Sequence, residues 1–152
     1  MRPESASVAV DRPIQEVFDF LAEGRNNPAW RPDVMLAARI SGSGSSLGVG
    51  TTFHQRVTDL QGKSTEEDYE ITRHEPPHLL EFTITRGLAR MLGRYTLVAI
   101  NPVTTHVEFS LRRVSPELRR TVRRETRSQL HERVEAITRV PAAMKDPGAP
   151  LL

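Results

Sequence analysis

The feature that most constrains this chain is a change of hydrophobic period. Between residues 51 and 113 apolar side chains recur at every second position, and from Leu118 onward they recur at helical spacing. A period of 2 belongs to strands with one buried face, and a period of 3.6 to an amphipathic helix. Phe53, Gln55 and Val57 alternate with Thr52, His54 and Arg56, and Tyr69 and Ile71 with Asp68, Glu70 and Thr72. Leu80, Phe82 and Ile84 alternate with Glu81, Thr83 and Thr85, and Val107, Phe109 and Leu111 with His106, Glu108 and Ser110. Met91–Ile100 is more apolar throughout and predicts a well-covered strand. Turn residues separate these runs: Leu60–Lys63 as a hairpin turn, Glu75–Pro77, Arg86–Gly87 and Asn101–Pro102.

The flanks complete the order. Glu4–Val10 alternates as a strand; Asp11 is a suitable N-cap, with Pro13 in the first turn of a helix. Ile14, Val17, Phe18 and Leu21 then form one apolar stripe, which Gly24 is expected to end. Asn26–Pro32 is proline-broken and predicts one short helical turn carrying Trp30. Val34–Ile40 reads as a strand and Ser41–Ser46 as a flexible connector. Ser115 (N-cap), Pro116 and Glu117 start a helix that can run about 22 residues from Leu118 to the Val140–Pro141 break. The expected fold class is therefore α+β. One N-terminal strand, two short helices and six further strands make a curved antiparallel sheet wrapped around a long C-terminal helix. Residues 1–140 form a single domain and 141–152 a flexible tail.

This order implies an interior. Six strands joined by short turns make an antiparallel sheet with one apolar face, and the C-terminal helix is the long element left to cover it. A twisted sheet cannot touch a straight helix along its whole length, so the gap is filled by large side chains or left open. On a helical wheel Val122, Thr126, Gln129, Leu130, Arg133, Ile137 and Val140 share the inward side. Arg133 stands near the middle of that arc. An unpaired buried charge costs several kcal/mol, so Arg133 either meets an interior carboxylate, borders a solvated cavity, or snorkels to the edge of a slightly rotated helix.

Composition removes other classes. The 152-residue chain contains no cysteine, which excludes disulfides, thiolate metal sites and cysteine nucleophiles. Its five histidines lack metal spacing, and it carries no H-E-x-x-H, nucleophile elbow, P-loop or dinucleotide fingerprint, so neither metal nor cofactor is expected. His54 and His106 fall opposite the apolar side and read as exposed. No apolar run approaches a membrane span and no secretory leader is readable, which predicts a cytoplasmic protein. Residues 112–139 hold nine arginines against four glutamates. Aromatics are only 5% of the chain and none interleave with this basic stretch, so it reads as a solvated helix face rather than a nucleic-acid platform.

Val8-x-Val10-Asp11-x-Pro13-x-x-x-Val17-Phe18-x-Phe20-Leu21, followed by Asn27-Pro28-x-Trp30-x-Pro32, resembles the opening of the START-like (SRPBCC) superfamily. Gly48-Val49-Gly50-Thr51-x-Phe53 and Tyr69-Glu70-Ile71-Thr72-x-x-Glu75-Pro76-Pro77-x-x-Leu80-x-Phe82 are similar to its bacterial polyketide cyclase/dehydrase-like branch. The resemblance covers roughly residues 5–140. It implies the helix-grip fold around an apolar cavity, and a hydrophobic or amphipathic small-molecule ligand such as a lipid, polyketide or aromatic metabolite. No catalytic set transfers residue by residue.

The strand face then supplies candidate walls: Phe53, Gln55, Val57, Tyr69, Ile71, Phe82, Ile84 and Phe109. Tyr69, Tyr95, Thr126, Gln129 and Arg133 are the polar candidates, able to position or polarise a carbonyl, and Trp30 is placed to cap a cavity mouth. The expected function is binding of such a ligand. A cyclase/dehydratase-type enzyme using Arg133 with a tyrosine, and a protein-interaction module using the basic helix, are the alternatives; a homodimer is compatible with the sequence.

Overall fold

The structure, a computed structural model, describes residues 4–40, 46–59, 61–87, 90–114, 132–133 and 135–144. β1 (Glu4–Val10) leads into α1 (Ile14–Ala22), a single 3₁₀ turn (Gly24–Asn26) and α2 (Asn27–Trp30). Six strands follow: β2 (Val34–Arg39), β3 (Thr52–Thr58), β4 (Ser64–Glu75), β5 (Leu79–Arg86), β6 (Met91–Asn101) and β7 (Thr104–Arg113). Helical residues return at 132–133 and 135–137, and α3 (Val140–Ala143) closes the described chain. The strands make one antiparallel sheet in the order β1-β7-β6-β5-β4-β3-β2.

The mixed α+β order read from the sequence is the order observed, strand for strand. Most of the expected C-terminal helix, including Val122, Thr126, Gln129 and Leu130, lies outside the described residues, as do Ser115 and the tail beyond Met144.

Alternation explains which face is buried. Phe53, Ile71, Leu97, Val107 and Phe109 all project to one side, where Val17, Phe18 and Leu21 of α1 meet them. Ala136, Ile137 and Val140 are buried in the same core; Ile137 and Val140 are two of the positions the helical wheel puts inward, but a turn at 138–139 separates them, so the helix expected to run unbroken to Val140 is interrupted there. Each such large apolar side chain contributes about 1.5–3 kcal/mol by leaving water. The sheet bends where its register slips, at Val34/Leu36 on β2 and at Asp68/Tyr69 and Ile71/Arg73 on β4. An extra residue on one strand of a pair kinks it and increases its twist, which curves the sheet around its apolar face.

Several local expectations are corrected. Pro13, not Asp11, is the residue before α1, and no side chain caps that helix; the Asp11 carboxylate instead accepts the Thr104 hydroxyl at 3.5 Å. Gly24 does not terminate α1, which ends at Ala22, but opens the 3₁₀ turn. Its reason is tertiary: a Cβ there would lie 2.2 Å from the Tyr69 hydroxyl and 2.7 Å from the Phe53 ring. β6 is covered only as far as Leu97; Val98 and Ile100 are more than half exposed, because the β6–β7 hairpin runs past its cover. Pro141 sits in the first turn of α3 beside fully buried Val140, where a proline forfeits no intrahelical donor. His54 is half-buried and gripped by two acids, with its ring nitrogens 2.5 Å from Asp68 and 2.6 Å from Glu66. His106 is likewise half-buried.

Candidate functional site

The concave face carries a run of aromatic rings from β3 to β7. Phe53 stacks on Tyr69 at 5.3 Å, Tyr69 meets Phe82 at 5.2 Å, and Phe82 lies 6.3 Å from Phe109, which packs on Tyr95 at 4.7 Å. Strand register sets the order, because Phe53 opposes Tyr69 and Tyr95 opposes Phe109 across neighbouring strands. Phe82 opposes Gly93. With no side chain on Gly93 the Phe82 ring lies across β6; a Cβ there would come 2.3 Å from the ring's Cζ.

Two chambers open against this run. The inner one, about 20 Å³, is walled by Leu21 and Ala22 of α1, Asn27 of α2 and Arg31, facing Gln55, Tyr69, Ile71 and Leu80. The outer one, about 40 Å³, is bordered by Asp33, Val57, Glu67, Ile84 and Leu111 and by exposed Glu132. Arg31, Phe82 and Arg133 line both and form the partition; Tyr95 joins them on the inner side. On this scale one water needs about 10–15 Å³, so each chamber holds one to a few waters as it stands.

Polar groups around the chambers are wired in one direction. Asn27 Nδ2 donates to both Gln55 Oε1 and the Tyr69 hydroxyl at 3.0 Å. Gln55 Nε2 donates onward to Glu67 at 2.7 Å. Arg133 Nη1 donates to the Tyr95 hydroxyl at 2.7 Å, and its guanidinium stands 4.7 Å from the Phe109 ring centre and 5.9 Å from that of Trp30. Arg31 is 6% exposed and pairs with Asp33 at 2.8 Å, yet its buried Nε has no partner.

The charges sustain one another. Burial alone would lower the Arg31 guanidinium's pKa, but the Asp33 carboxylate, with Tyr95 and Glu67, holds it above the ordinary value. Burial would raise the Asp33 carboxyl, and the Arg31 and Arg133 charges outweigh it and hold it low. Burial pushes the Tyr69 hydroxyl well up, so it stays a neutral donor at ordinary pH. Burial and nearby Asp33 raise Glu132.

Among the residues singled out from the sequence, Gln55, Val57, Tyr69, Ile71, Phe82, Ile84, Tyr95 and Arg133 are brought together on chamber walls. Phe53 and Phe109 lie one layer behind, and Trp30 is buried against Arg133 rather than standing at a mouth. Thr126 and Gln129 lie outside the described residues. Of the alternatives for Arg133, the structure places it inward, on both chambers. The sequence reading missed Asn27, Arg31, Asp33 and Glu67. Asn27 and Arg31 sit in the proline-broken stretch and Asp33 directly after it, where no period tells inward from outward. Glu67 stands two residues before Tyr69 on β4, at a position of the same parity, which the alternation carries.

Residues 4–138 match the sequence profile of the family described as polyketide cyclase/dehydrase and lipid transport. No curated protein sequence matches the chain significantly. Among solved structures, the Zhui aromatase/cyclase from Streptomyces sp. R1128 superposes with a TM-score of 0.76 at 11% identity, covering 99% of each chain. A START superfamily protein from Mycobacterium smegmatis gives a TM-score of 0.71 at 15% identity over 90% of this chain and 94% of that one. The di-domain ARO/CYC StfQ of the steffimycin biosynthetic pathway gives 0.71 at 16% identity, over 93% of this chain and 45% of that one. At such identities the likeness is one of fold. No helix among the described residues is long and apolar enough to cross a membrane.

Proposed function

The chain belongs to the polyketide cyclase/dehydrase and lipid transport family, and from that premise we propose that its interior binds a hydrophobic or amphipathic small molecule. The observation that carries the reading is the partition: two chambers that share Arg31, Phe82 and Arg133 as walls among the described residues. A core built for stability alone closes with apolar side chains at near-crystalline density. Here guanidiniums, phenols and carboxamides are kept inside at a desolvation cost, the kind of local inconsistency that marks functional sites. Movement of Phe82 and Arg133 joins the chambers into one cavity lined by Gln55, Val57, Tyr69, Ile71, Ile84 and Tyr95, with the aromatic run as its floor.

The test uses the chain's single tryptophan, Trp30, which contacts the Arg133 guanidinium and therefore reports on the partition. Titration with 4-phenylbutan-1-ol, followed by Trp30 fluorescence and calorimetry, is expected to saturate at one equivalent. Native mass spectrometry of freshly purified protein is expected to show a retained organic molecule. A flat titration together with a bare mass would refute the reading.

A cyclase/dehydratase-type enzyme is the second reading, favoured by the Arg133–Tyr95 hydrogen bond on the wall and by fold relatives described as aromatase/cyclases. It predicts that Arg133→Ala abolishes turnover while binding persists.

A further inference from the structure

Resting on the interior-binding reading above, the geometry points to an anionic oxygen, a carboxylate or enolate, as the polar end of the ligand, held in the inner chamber by Arg133 with Arg31, Tyr69 and Tyr95.

Charge is divided unequally between the chambers. Among the described residues the three acids, Asp33, Glu67 and Glu132, all line the outer chamber, and none lines the inner wall although both arginines reach it. Arg31 has its counter-ion in Asp33 at 2.8 Å. Among the described residues Arg133 has no ion pair. It is braced instead by the Tyr95 hydroxyl and by the Phe109 and Trp30 rings. A ring face steadies a guanidinium without neutralising it. The Arg133 charge reaches Asp33 from a distance, but no described carboxylate meets its guanidinium on the inner side.

Hydrogen-bond directions agree. Tyr69 and Tyr95 each already accept a bond, from Asn27 and from Arg133, which leaves each hydroxyl its proton to give. Among the described residues no acceptor takes either proton. Arg31 Nε is a third donor, buried and unpartnered. Gln55 Oε1 already accepts from Asn27. The inner wall thus offers donor protons and a guanidinium that no described carboxylate contacts, and such a set is complemented by an oxygen that only accepts.

The test compares 4-phenylbutyrate with 4-phenylbutan-1-ol, which share a skeleton and differ in the anionic head. At neutral pH the acid is expected to bind the full-length protein at least about tenfold more tightly, the factor one charge-assisted bond supplies. Arg133→Met, which keeps an unbranched apolar stem, is expected to erase that preference, the acid then binding no more tightly than the alcohol. Arg73→Met, at an exposed arginine paired with Glu75, is expected to change neither affinity. Should Arg133→Met fail to fold, Tyr95→Phe decides, with a severalfold smaller preference expected. Equal affinities in the unaltered protein, or a preference that survives Arg133→Met or stays undiminished in Tyr95→Phe, overturn the proposal while interior binding stands. If neither compound binds, both fall together.

Discussion

Gly93→Ala isolates the partition from everything else in the fold. A methyl group at that position would sit 2.3, 2.6 and 2.9 Å from three carbons of the Phe82 ring. Restoring a 3.5 Å carbon contact requires the ring to retreat by about 1.2 Å. Phe82 is the wall common to both chambers, so the retreat takes it into space a ligand needs. Two energies oppose each other. Replacing a strand glycine by alanine gains roughly 0.5–1 kcal/mol of backbone entropy, and overpacking costs about 1–3 kcal/mol. The net expectation is a loss of about 1 kcal/mol, a fall in Tm of about 3 °C for a domain of this size. Affinity for 4-phenylbutan-1-ol should drop by about tenfold or more, because the variant holds the partition shut. Thermal melts followed by circular dichroism give the first quantity and Trp30 fluorescence titration the second. Adding Phe82→Leu should recover most of both losses, a coupling measurable as a double-mutant cycle. If Gly93→Ala raises Tm and leaves binding unchanged, Phe82 is not pinned against β6 and the account of the partition is wrong.

Two further outcomes follow from the charges. A hydrogen bond from the protonated His54 ring to Asp68 favours its charged form, against the opposing effect of burial and with help from Glu66, so its pKa is raised in the folded chain. A raised folded pKa gives stability that is complete below the unfolded value and lost as pH climbs through the folded one. The Tm difference between the unaltered protein and His54→Gln should therefore be largest near pH 6 and shrink on the alkaline side; a constant difference would sink the assignment. Asp33→Ala strips the buried Arg31 guanidinium of its counter-ion and should cost about 2 kcal/mol, reduced from the fully buried case because Asp33 is partly exposed. Chemical denaturation that finds no change would show Arg31 to be compensated elsewhere.

Much of the fold is written in local pattern. β1, β3, β4, β5 and β7 announce themselves by alternation, and Ile14, Val17, Phe18 and Leu21 announce α1, because a half-buried element must repeat its apolar residues at its own geometric period. The same logic places Phe53, Gln55, Tyr69, Phe82 and Phe109 inside. Capping was less legible. Asp11 has the chemistry of a cap, yet Pro13 lies between it and the helix, and only the path of the chain shows the carboxylate turned toward Thr104.

Sequence alone determined the order of strands and short N-terminal helices and the inward face of the sheet, since periodicity is a property of neighbours along the chain. Tertiary structure alone decided that Asn27, Arg31 and Asp33 join the site, that Gly24 and Gly93 exist to admit Tyr69 and Phe82, and that the acids sit on one side of the arginine pair. Those facts depend on distances between residues tens of positions apart, and no spacing within a single element encodes them.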